Sequence, residues 1–284
     1  MEQLTSRFKS FGLWLESDAR HFQIISQVIF LLYGILYLGW ETYIINVFFA
    51  FAGALSFQGL FIASGLAPRH SLKSAFISSL GLSLLLKANS PILFFIAGAM
   101  AIGQKFAFRY NGKHLWNPAN FAIVLLILLS GNAWISPGQW GSGAILVLII
   151  STAGMNVLSR VKRLDMALAF LLTYAIAEYS RTILYLGWNH EVLFHKLCNG
   201  SVWLFALFMI TDPMTSPNNR TLRILWTMLI ALASFYIINF HFFYAAPQFI
   251  LFALTPFVPL IDKAFKGEKF FWQKQIHLIP SQHD

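Results

Sequence analysis

The sequence predicts an all-α integral membrane protein with about ten transmembrane helices, and three observations support this fold class. First, 57% of the residues are hydrophobic and only 11% are charged, whereas soluble domains carry about 25% charged residues. Second, apolar stretches recur that approach the roughly 20 residues needed to cross a bilayer. Third, most basic residues fall in alternate connections between these stretches.

Residues 1–20 mix polar and aromatic side chains without a long apolar core, so they are expected to form a cytoplasmic N-terminal segment rather than a cleaved signal peptide. Ten apolar segments follow, and some are short enough to require shielding by neighbouring helices. They span approximately residues 22–39, 43–65, 73–87, 91–106, 118–133, 141–159, 164–187, 198–211, 221–240 and 244–262. Residues 263–284 are expected to form a basic cytoplasmic tail.

The basic residues fix the predicted orientation, because short Lys/Arg-rich connections stay in the cytoplasm. With a cytoplasmic N-terminus, 17 of the 20 basic residues lie on the inner side, and only Lys87, Arg181 and Lys196 lie on the outer half. We therefore predict that both termini are cytoplasmic and that the protein resides in the cell's inner membrane. The net charge of +9 is explained by the bilayer and requires no nucleic-acid partner.

Proline turns at matching places suggest two inverted repeats of five helices, residues 21–133 and 134–262. The third segment ends in KANSP outside and the eighth ends in TDPMTSP inside. The fifth segment begins with NPANF and the tenth with AAPQF, again on opposite faces. This pattern is what an inverted repeat would leave in the sequence, although the matches are short.

The NPAN corner is the first candidate site. Asn117 and Pro118 have the chemistry of a helix start, with Asn as the cap and Pro at the first helical position. Free amides and the positive end of the helix dipole there can bind an anion or a polar ligand. Asn120 adds a side-chain amide one turn later. Basic side chains in the preceding loop belong to the same candidate site: Lys105, Arg109 and His114. A purely topological role of these loop charges remains open.

The TDPMTSP corner is the second candidate site. Residues that precede proline leave the helical conformation, so the eighth segment must end at Asp212. The freed backbone groups need partners. Four polar residues can provide them: Thr211, Asp212, Thr215 and Ser216. An acid at this depth usually faces a cavity or a partner, but a simple capping role is the alternative.

The stretches FALFMITDPMTSP and GKHLWNPANF, together with the ten-span pattern, resemble the NqrB/RnfD family. Its members are membrane subunits of the sodium-pumping NADH:quinone reductase and of the Rnf electron-transport complex. The resemblance extends from about His21 to Asp262 and is greatest to short, stand-alone members. It implies a urea-transporter-like fold of two inverted five-helix repeats, and it implies flavin.

Members of the large complexes carry FMN on the threonine of an S-G-A-T motif, and riboflavin can also bind non-covalently. The corresponding stretch here reads Ser142-Gly143-Ala144-Ile145, and isoleucine has no hydroxyl to form a phosphoester. We therefore expect no covalent FMN by this route. The resemblance leaves a non-covalent flavin, riboflavin or FMN, as the expected cofactor.

The leading functional hypothesis is transmembrane electron transport with this flavin, as a subunit of a membrane oxidoreductase that is not self-sufficient. A redox partner protein is required, because the chain has no cysteine cluster or nucleotide-binding domain. The alternative is a small-solute or ion transporter or channel that kept the fold and lost the redox role. An assembly subunit is a third hypothesis, and related folds also make a homo-oligomer an open question.

Two weaker signals concern the outer half. Glu178 and Arg181 lie one helical turn apart and are expected to neutralise each other. The histidines of HEVLFH, at positions 190 and 195, are five residues apart instead of the four of a metalloprotease motif, so no metal site is predicted.

Overall fold

The computed structural model describes residue 15 and residues 18–40, 44–68 and 71–270. Most of the predicted N-terminal segment and the end of the predicted basic tail lie outside these residues. The described part contains twelve α-helices. They are α1 (Ala19–Leu36), α2 (Ile44–Ala63), α3 (Leu72–Leu85), α4 (Pro91–Ala107), α5 (Pro118–Ser130), α6 (Ala144–Val161), α7 (Leu164–Tyr179), α8 (His190–Leu197), α9 (Gly200–Leu204), α10 (Arg220–His241), α11 (Ala246–Leu254) and α12 (Val258–Ala264).

Short elements join the helices. The strands are β1 (Leu86–Ala88), β2 (Arg109–Tyr110), β3 (Lys113–His114) and β4 (Ala133–Ile135). β1 pairs antiparallel with β4, and β2 pairs antiparallel with β3. Two π-helical turns, Ser180–Tyr185 and Phe205–Met209, continue α7 and α9, while short 3-10 turns occupy Pro137–Trp140 and Thr255–Phe257.

Each of the ten predicted segments contains at least one helix, but three segments differ from a single straight span. The third helix ends at Leu85, because the chain then pairs as strand β1. The eighth is part of a bent pair, with 44° between residues 190–197 and 200–209. The tenth is α11 and α12 joined by the 3-10 turn.

The membrane assignment is supported by length and composition. Among the described residues, four helices are long and apolar enough to cross a bilayer, or five if the bent pair is one span. α3, α4 and α5 are apolar but shorter. The protein is therefore an all-α membrane protein, and the count of ten spans remains a prediction.

One continuous core joins the two predicted repeats. Phe30 and Phe94 from the first repeat belong to the same buried cluster as Ile150, Phe170 and Phe205 from the second. The closest helix pair is α2 with α4. There, a Cβ atom on Gly98 would lie 2.4 Å from the backbone oxygen of Ala50, so only glycine permits the observed separation.

Connections that were predicted to be cytoplasmic contact one another. The Lys113 ammonium lies 3.0 Å from the Asp262 carboxylate, joining the loop before α5 to the last helix. Lys73 lies 3.0 Å from Asp18, joining the start of α3 to the residue that precedes α1.

Connections that were predicted to be external also contact one another. The Trp40 indole donates to the Gln139 carbonyl at 2.8 Å. The Asn89 side chain donates to the Asn132 side chain at 3.2 Å, beside the β1–β4 pair.

Candidate functional site

The NPAN corner forms the helix start that the sequence predicts. Pro118 is the first residue of α5, and the Asn117 side-chain oxygen accepts a hydrogen bond from the Asn120 backbone N–H at 3.2 Å. This bond satisfies one of the amides that a helix start leaves free. The Asn117 amide nitrogen is thereby directed away from α5 and is available to a neighbouring segment.

The TDPMTSP corner ends the eighth segment, also as predicted. Thr211 donates its hydroxyl hydrogen to the Leu207 carbonyl at 2.9 Å, which closes the last turn. Asp212 then accepts a hydrogen bond from the Met214 backbone N–H at 2.9 Å across Pro213. One carboxylate oxygen of Asp212 caps this turn, so the second oxygen can take other partners.

The two corners meet through that second oxygen. The Asn117 side-chain N–H donates to Asp212 Oδ2 at 3.2 Å, and His114 Nε2 lies 3.7 Å from the same oxygen. The latter separation is too long for a good hydrogen bond but short enough for charge attraction. The carboxylate is almost fully enclosed, with 14% of the side chain exposed. Capping and partner contacts, the two alternatives for Asp212, therefore occur together.

A cavity of about 1030 Å³, including the part that opens to solvent, lies beside this junction. Five of the predicted site residues line it: His114, Asn117, Pro118, Thr211 and Asp212. The walls are completed by α1, α3, α6 and the π-helical turn before Thr211. We call this space the inner cavity, because its polar rim comes from connections predicted to be cytoplasmic.

Lys105 and Arg109 do not line the inner cavity. Lys105 is buried behind its wall, where its ammonium donates to the hydroxyls of Ser74 at 2.8 Å and Ser78 at 3.2 Å. Both serines do line the cavity. Lys105 therefore supports the cavity wall from behind, whereas the guanidinium of Arg109 lies over the Phe106 ring at 5.2 Å, on an exposed strand.

Asn120, Thr215 and Ser216 are also placed outside the inner cavity. The Asn120 side chain donates to the Gln248 backbone carbonyl at 3.0 Å, joining the starts of α5 and α11. Thr215 lines a second pocket near Lys113. Ser216 is fully buried and accepts a hydrogen bond from Arg163 Nε at 3.4 Å. These three predicted site residues therefore hold the corners in place instead of facing the cavity.

Lys113 secures the second corner from the connection that precedes α5. Its ammonium donates to the Ser216 carbonyl at 2.8 Å and to the Asn218 side-chain oxygen at 3.0 Å, in addition to its ion pair with Asp262. Burial lowers the pKa of Lys113, and the Asp262 carboxylate opposes that shift.

The prediction missed a polar face of α1. Arg20, Gln23 and Gln27 line the inner cavity, and the Gln27 side-chain oxygen is buried without a hydrogen-bond partner. Their spacing of three and four residues places them on one helix face, which is the periodicity that could have identified them. Ser74 and Ser78 show the same spacing on α3.

The Ser142 to Ile145 stretch lies at the start of α6, which begins at Ala144. Ser142 Oγ is 2.7 Å from His195 Nδ1, and the Ile145 side chain is largely exposed. His195 lies on α8, so HEVLFH is helical rather than an ordinary loop.

The predicted pairing of Glu178 with Arg181 is wrong. Glu178 is buried and pairs with the Lys196 ammonium at 2.9 Å, and it also accepts a hydrogen bond from the Asn239 side chain at 2.6 Å. Arg181 instead donates to the Asn239 backbone carbonyl at 3.3 Å. The chain changes from α-helical to π-helical geometry at Ser180, which alters the direction of the side chains that follow.

Comparison with known proteins identifies the family. Among curated proteins, none matches the chain. The model of the NQR2, RnfD, RnfE family matches residues 128–270, which is half of the chain and includes the TDPMTSP corner. The NPAN corner lies before the matched range, but the Asn117–Asp212 hydrogen bond places it against that range. The predicted relationship is thus confirmed: the chain is a multi-pass membrane protein of the NQR2, RnfD, RnfE family.

Proposed function

We propose that the protein carries electrons in the membrane with a flavin held non-covalently in the inner cavity. The observation on which this rests is the meeting of Asn117 and Asp212 at a cavity within an apolar helix bundle. Membership of a family whose members serve in the Nqr and Rnf complexes supports electron transport and a redox partner. A soluble partner protein would supply the electrons, since the chain has no cysteine cluster or nucleotide-binding domain.

The cavity lining suits the polar edge of a flavin ring, which presents one N–H donor between two carbonyl acceptors. Gln27 offers a buried oxygen without a partner, and Asn117 and Ser74 offer donors. The remaining wall is apolar, including Leu207 and Phe208, as ring systems require.

The protein's contribution would be binding and electrostatic tuning, while a bound flavin would supply the transfer of one or two electrons. Asp212 and Arg20 are charged side chains that line this space. His114 lies beside Asp212 at the cavity rim.

The test is the absorption spectrum of detergent-purified protein after incubation with riboflavin or FMN, repeated on supernatant and pellet after acid precipitation. We expect flavin absorption that moves entirely to the supernatant. Flavin that remains with the denatured polypeptide would contradict non-covalent binding, and a colourless protein would contradict the proposal.

Asn117→Ser provides a sharper form of the test. Serine keeps a capping oxygen for α5 but removes the amide that reaches Asp212. Asn219→Ser is the matched control, because Asn219 also caps a helix, accepting from the Leu222 N–H at 3.2 Å, away from the cavity. Asn117→Ser should weaken flavin binding by roughly tenfold, the loss expected for one hydrogen bond to a charged group. Equal binding by both variants would assign the corner to folding alone.

Solute transport is the second candidate, and one observation favours it. A further cavity, in the predicted outer half, is lined by Gln248, whose backbone carbonyl accepts the hydrogen bond from Asn120 at the start of α5. Transporters place substrate sites at such broken-helix junctions near the bilayer midplane. Saturable uptake into vesicles by a flavin-free protein would favour this candidate.

A further inference from the structure

A cavity distinct from the inner cavity and from the pocket near Lys113 lies in the outer half. The proposed flavin site does not use this part of the molecule. It has about 1280 Å³ of empty space, including the part that opens to solvent. Residues of α7, α10 and α11 line it, together with the connections around α8. We call it the outer cavity. It is separated from the inner cavity by α9 and its π-helical continuation, whose residues line both spaces.

The charges of the outer cavity do not balance. Its lining contains two cations, Arg181 and Lys196, and one carboxylate, Glu178. Glu178 is committed to Lys196 at 2.9 Å and to Asn239 at 2.6 Å. Within the described part of the chain, no carboxylate forms an ion pair with Arg181. A net positive charge is therefore left at Arg181, whose guanidinium lies 5.0 Å from the centre of the Phe240 ring but faces no carboxylate of the described residues.

Two buried polar atoms in the lining also lack partners. Arg181 Nε has no hydrogen-bond acceptor, although another nitrogen of the guanidinium donates to the Asn239 carbonyl. The Gln248 side-chain oxygen accepts no hydrogen bond, and only 3% of Gln248 is exposed. Buried polar groups normally have partners, so each indicates something that the protein itself does not provide.

Much of the remaining lining is aromatic. Five aromatic side chains face this space: Tyr174, Trp188, Phe205, Phe242 and Tyr244. Aromatic walls favour flat ring systems, which pack offset or edge-on against them. The Arg181 cation and the unpartnered Gln248 oxygen lie within these aromatic walls. The space therefore suits a ligand with an anionic group, a flat apolar body and a hydrogen-bond donor.

From this juxtaposition we propose that the outer cavity binds a small aromatic monoanion, with its negative group on the Arg181 guanidinium and its ring between the aromatic walls. The carboxylate class fits best, because a guanidinium can donate two parallel hydrogen bonds to it. A donor on the ring system would satisfy the Gln248 oxygen. The site is independent of the proposed flavin, so either proposal can fail without the other.

The test uses 2-naphthoate and its neutral analogue 2-naphthamide, titrated calorimetrically into the full chain in nanodiscs of neutral phosphatidylcholine. We expect saturable binding of naphthoate and at least roughly tenfold weaker binding of naphthamide, because the amide cannot form a charged pair with Arg181. Equal affinity for the two compounds, or no saturable binding, would overturn the proposal.

Variants locate the site. Arg181→Gln should weaken naphthoate binding by the same factor, whereas Arg181→Lys should retain most of it because the charge remains. Arg109→Gln is the matched control, since it removes an exposed arginine that does not line the outer cavity. Unchanged binding by Arg181→Gln would overturn the assignment. If that variant does not fold, the comparison of naphthoate with naphthamide on the unmodified protein still decides.

An anionic lipid could present similar chemistry through its phosphate. Phosphatidylglycerol added to the nanodiscs is therefore tested as a competitor, and lipids retained by the purified protein are identified by mass spectrometry. We expect naphthoate to keep its affinity in this background. A lipid that is retained only when Arg181 is present, and that excludes naphthoate, would overturn the small-molecule assignment.

Discussion

Asp212 shows how far single residues can be interpreted from sequence. An acid with no nearby basic residue in an apolar region predicted a cavity or a partner, and the structure places it against Asn117, which is 95 positions away. The cap and the proline were predictable because they depend on adjacent residues. The partner was not, because it depends on how distant segments pack.

The partner of Glu178 was predicted wrongly for the same reason, because it too depends on the packing of distant segments. Helical spacing favoured Arg181 as its partner, yet Lys196 and Asn239 satisfy the carboxylate from other elements. A π-helical turn depends on packing that sequence spacing does not show. Because Glu178 was predicted to pair with Arg181, the sequence predicted neither the buried contacts of Glu178 with Lys196 and Asn239 nor the positive charge of Arg181 in the outer cavity.

Asp18 carries a residue-scale prediction of pH dependence. Burial would raise the pKa of this carboxyl, but hydrogen bonds from Arg20 and Lys73 outweigh it, and the pKa falls from 3.8 to about 2. A carboxyl with a lowered folded-state pKa stabilises the fold fully above its unfolded pKa and loses that contribution as the pH falls toward the folded value. The stabilisation should therefore be present above about pH 4 and disappear between about pH 4 and pH 2.

The measurement compares the thermal unfolding temperature of the unmodified protein with that of Asp18→Asn from pH 7 to pH 2.5. Asparagine can still cap α1, which isolates the charge. A difference that stays constant down to pH 2.5 would show that the ion pairs of Asp18 do not stabilise the fold.

At the scale of elements, the proline and asparagine signals located the starts of α5 and α11 and the end of the eighth segment. They did not locate the bend between α8 and α9 or the strand pair β1–β4. Those features arise where chain segments meet across the fold. The sequence consequently predicted helix ends better than helix shape.

The packing of α2 on α4 provides a prediction about elements. A Cβ atom on Gly98 would lie 2.4 Å from the Ala50 oxygen and 2.7 Å from the Ala54 nitrogen, and both atoms belong to rigid backbone. Gly98→Ala should thus force the helices apart and destabilise the protein by about 1–3 kcal/mol or more.

Gly103→Ala, in the same helix, is the matched control because a Cβ atom there would meet nothing within 4 Å. Alanine at that position should be neutral or stabilising by up to about 1 kcal/mol, through helix propensity. Thermal unfolding in detergent measures both variants. Equal effects of the two substitutions would mean that the close approach of α2 and α4 is not required.

At the scale of the whole molecule, the contacts among connections support the predicted alternation of sides. Lys113 with Asp262 and Lys73 with Asp18 join predicted inner segments, while Trp40 with Gln139 joins predicted outer ones. No described contact named above joins an inner connection to an outer one. The prediction of ten spans in two inverted repeats therefore remains the topology to test.

The topology test is single-cysteine labelling with a membrane-impermeant maleimide, in a Cys198→Ser background. Asn132→Cys, beside the predicted outer strand pair, should react in intact spheroplasts. Asn111→Cys, in the turn between β2 and β3, should react only after the membrane is permeabilised. Reaction of both positions from the same side would refute the predicted alternation.

The separation of the inner and outer cavities by α9 and its π-helical continuation has an electrical consequence in the predicted topology. Aqueous spaces that enter from opposite faces conduct the potential of their own compartment inward, so the voltage drop would be concentrated on the partition between them. An elementary charge that crosses the full potential changes its energy by about 2.3 kcal/mol per 100 mV. Charge movement across this partition would therefore be strongly voltage-dependent, although the distance travelled is only a fraction of the bilayer thickness.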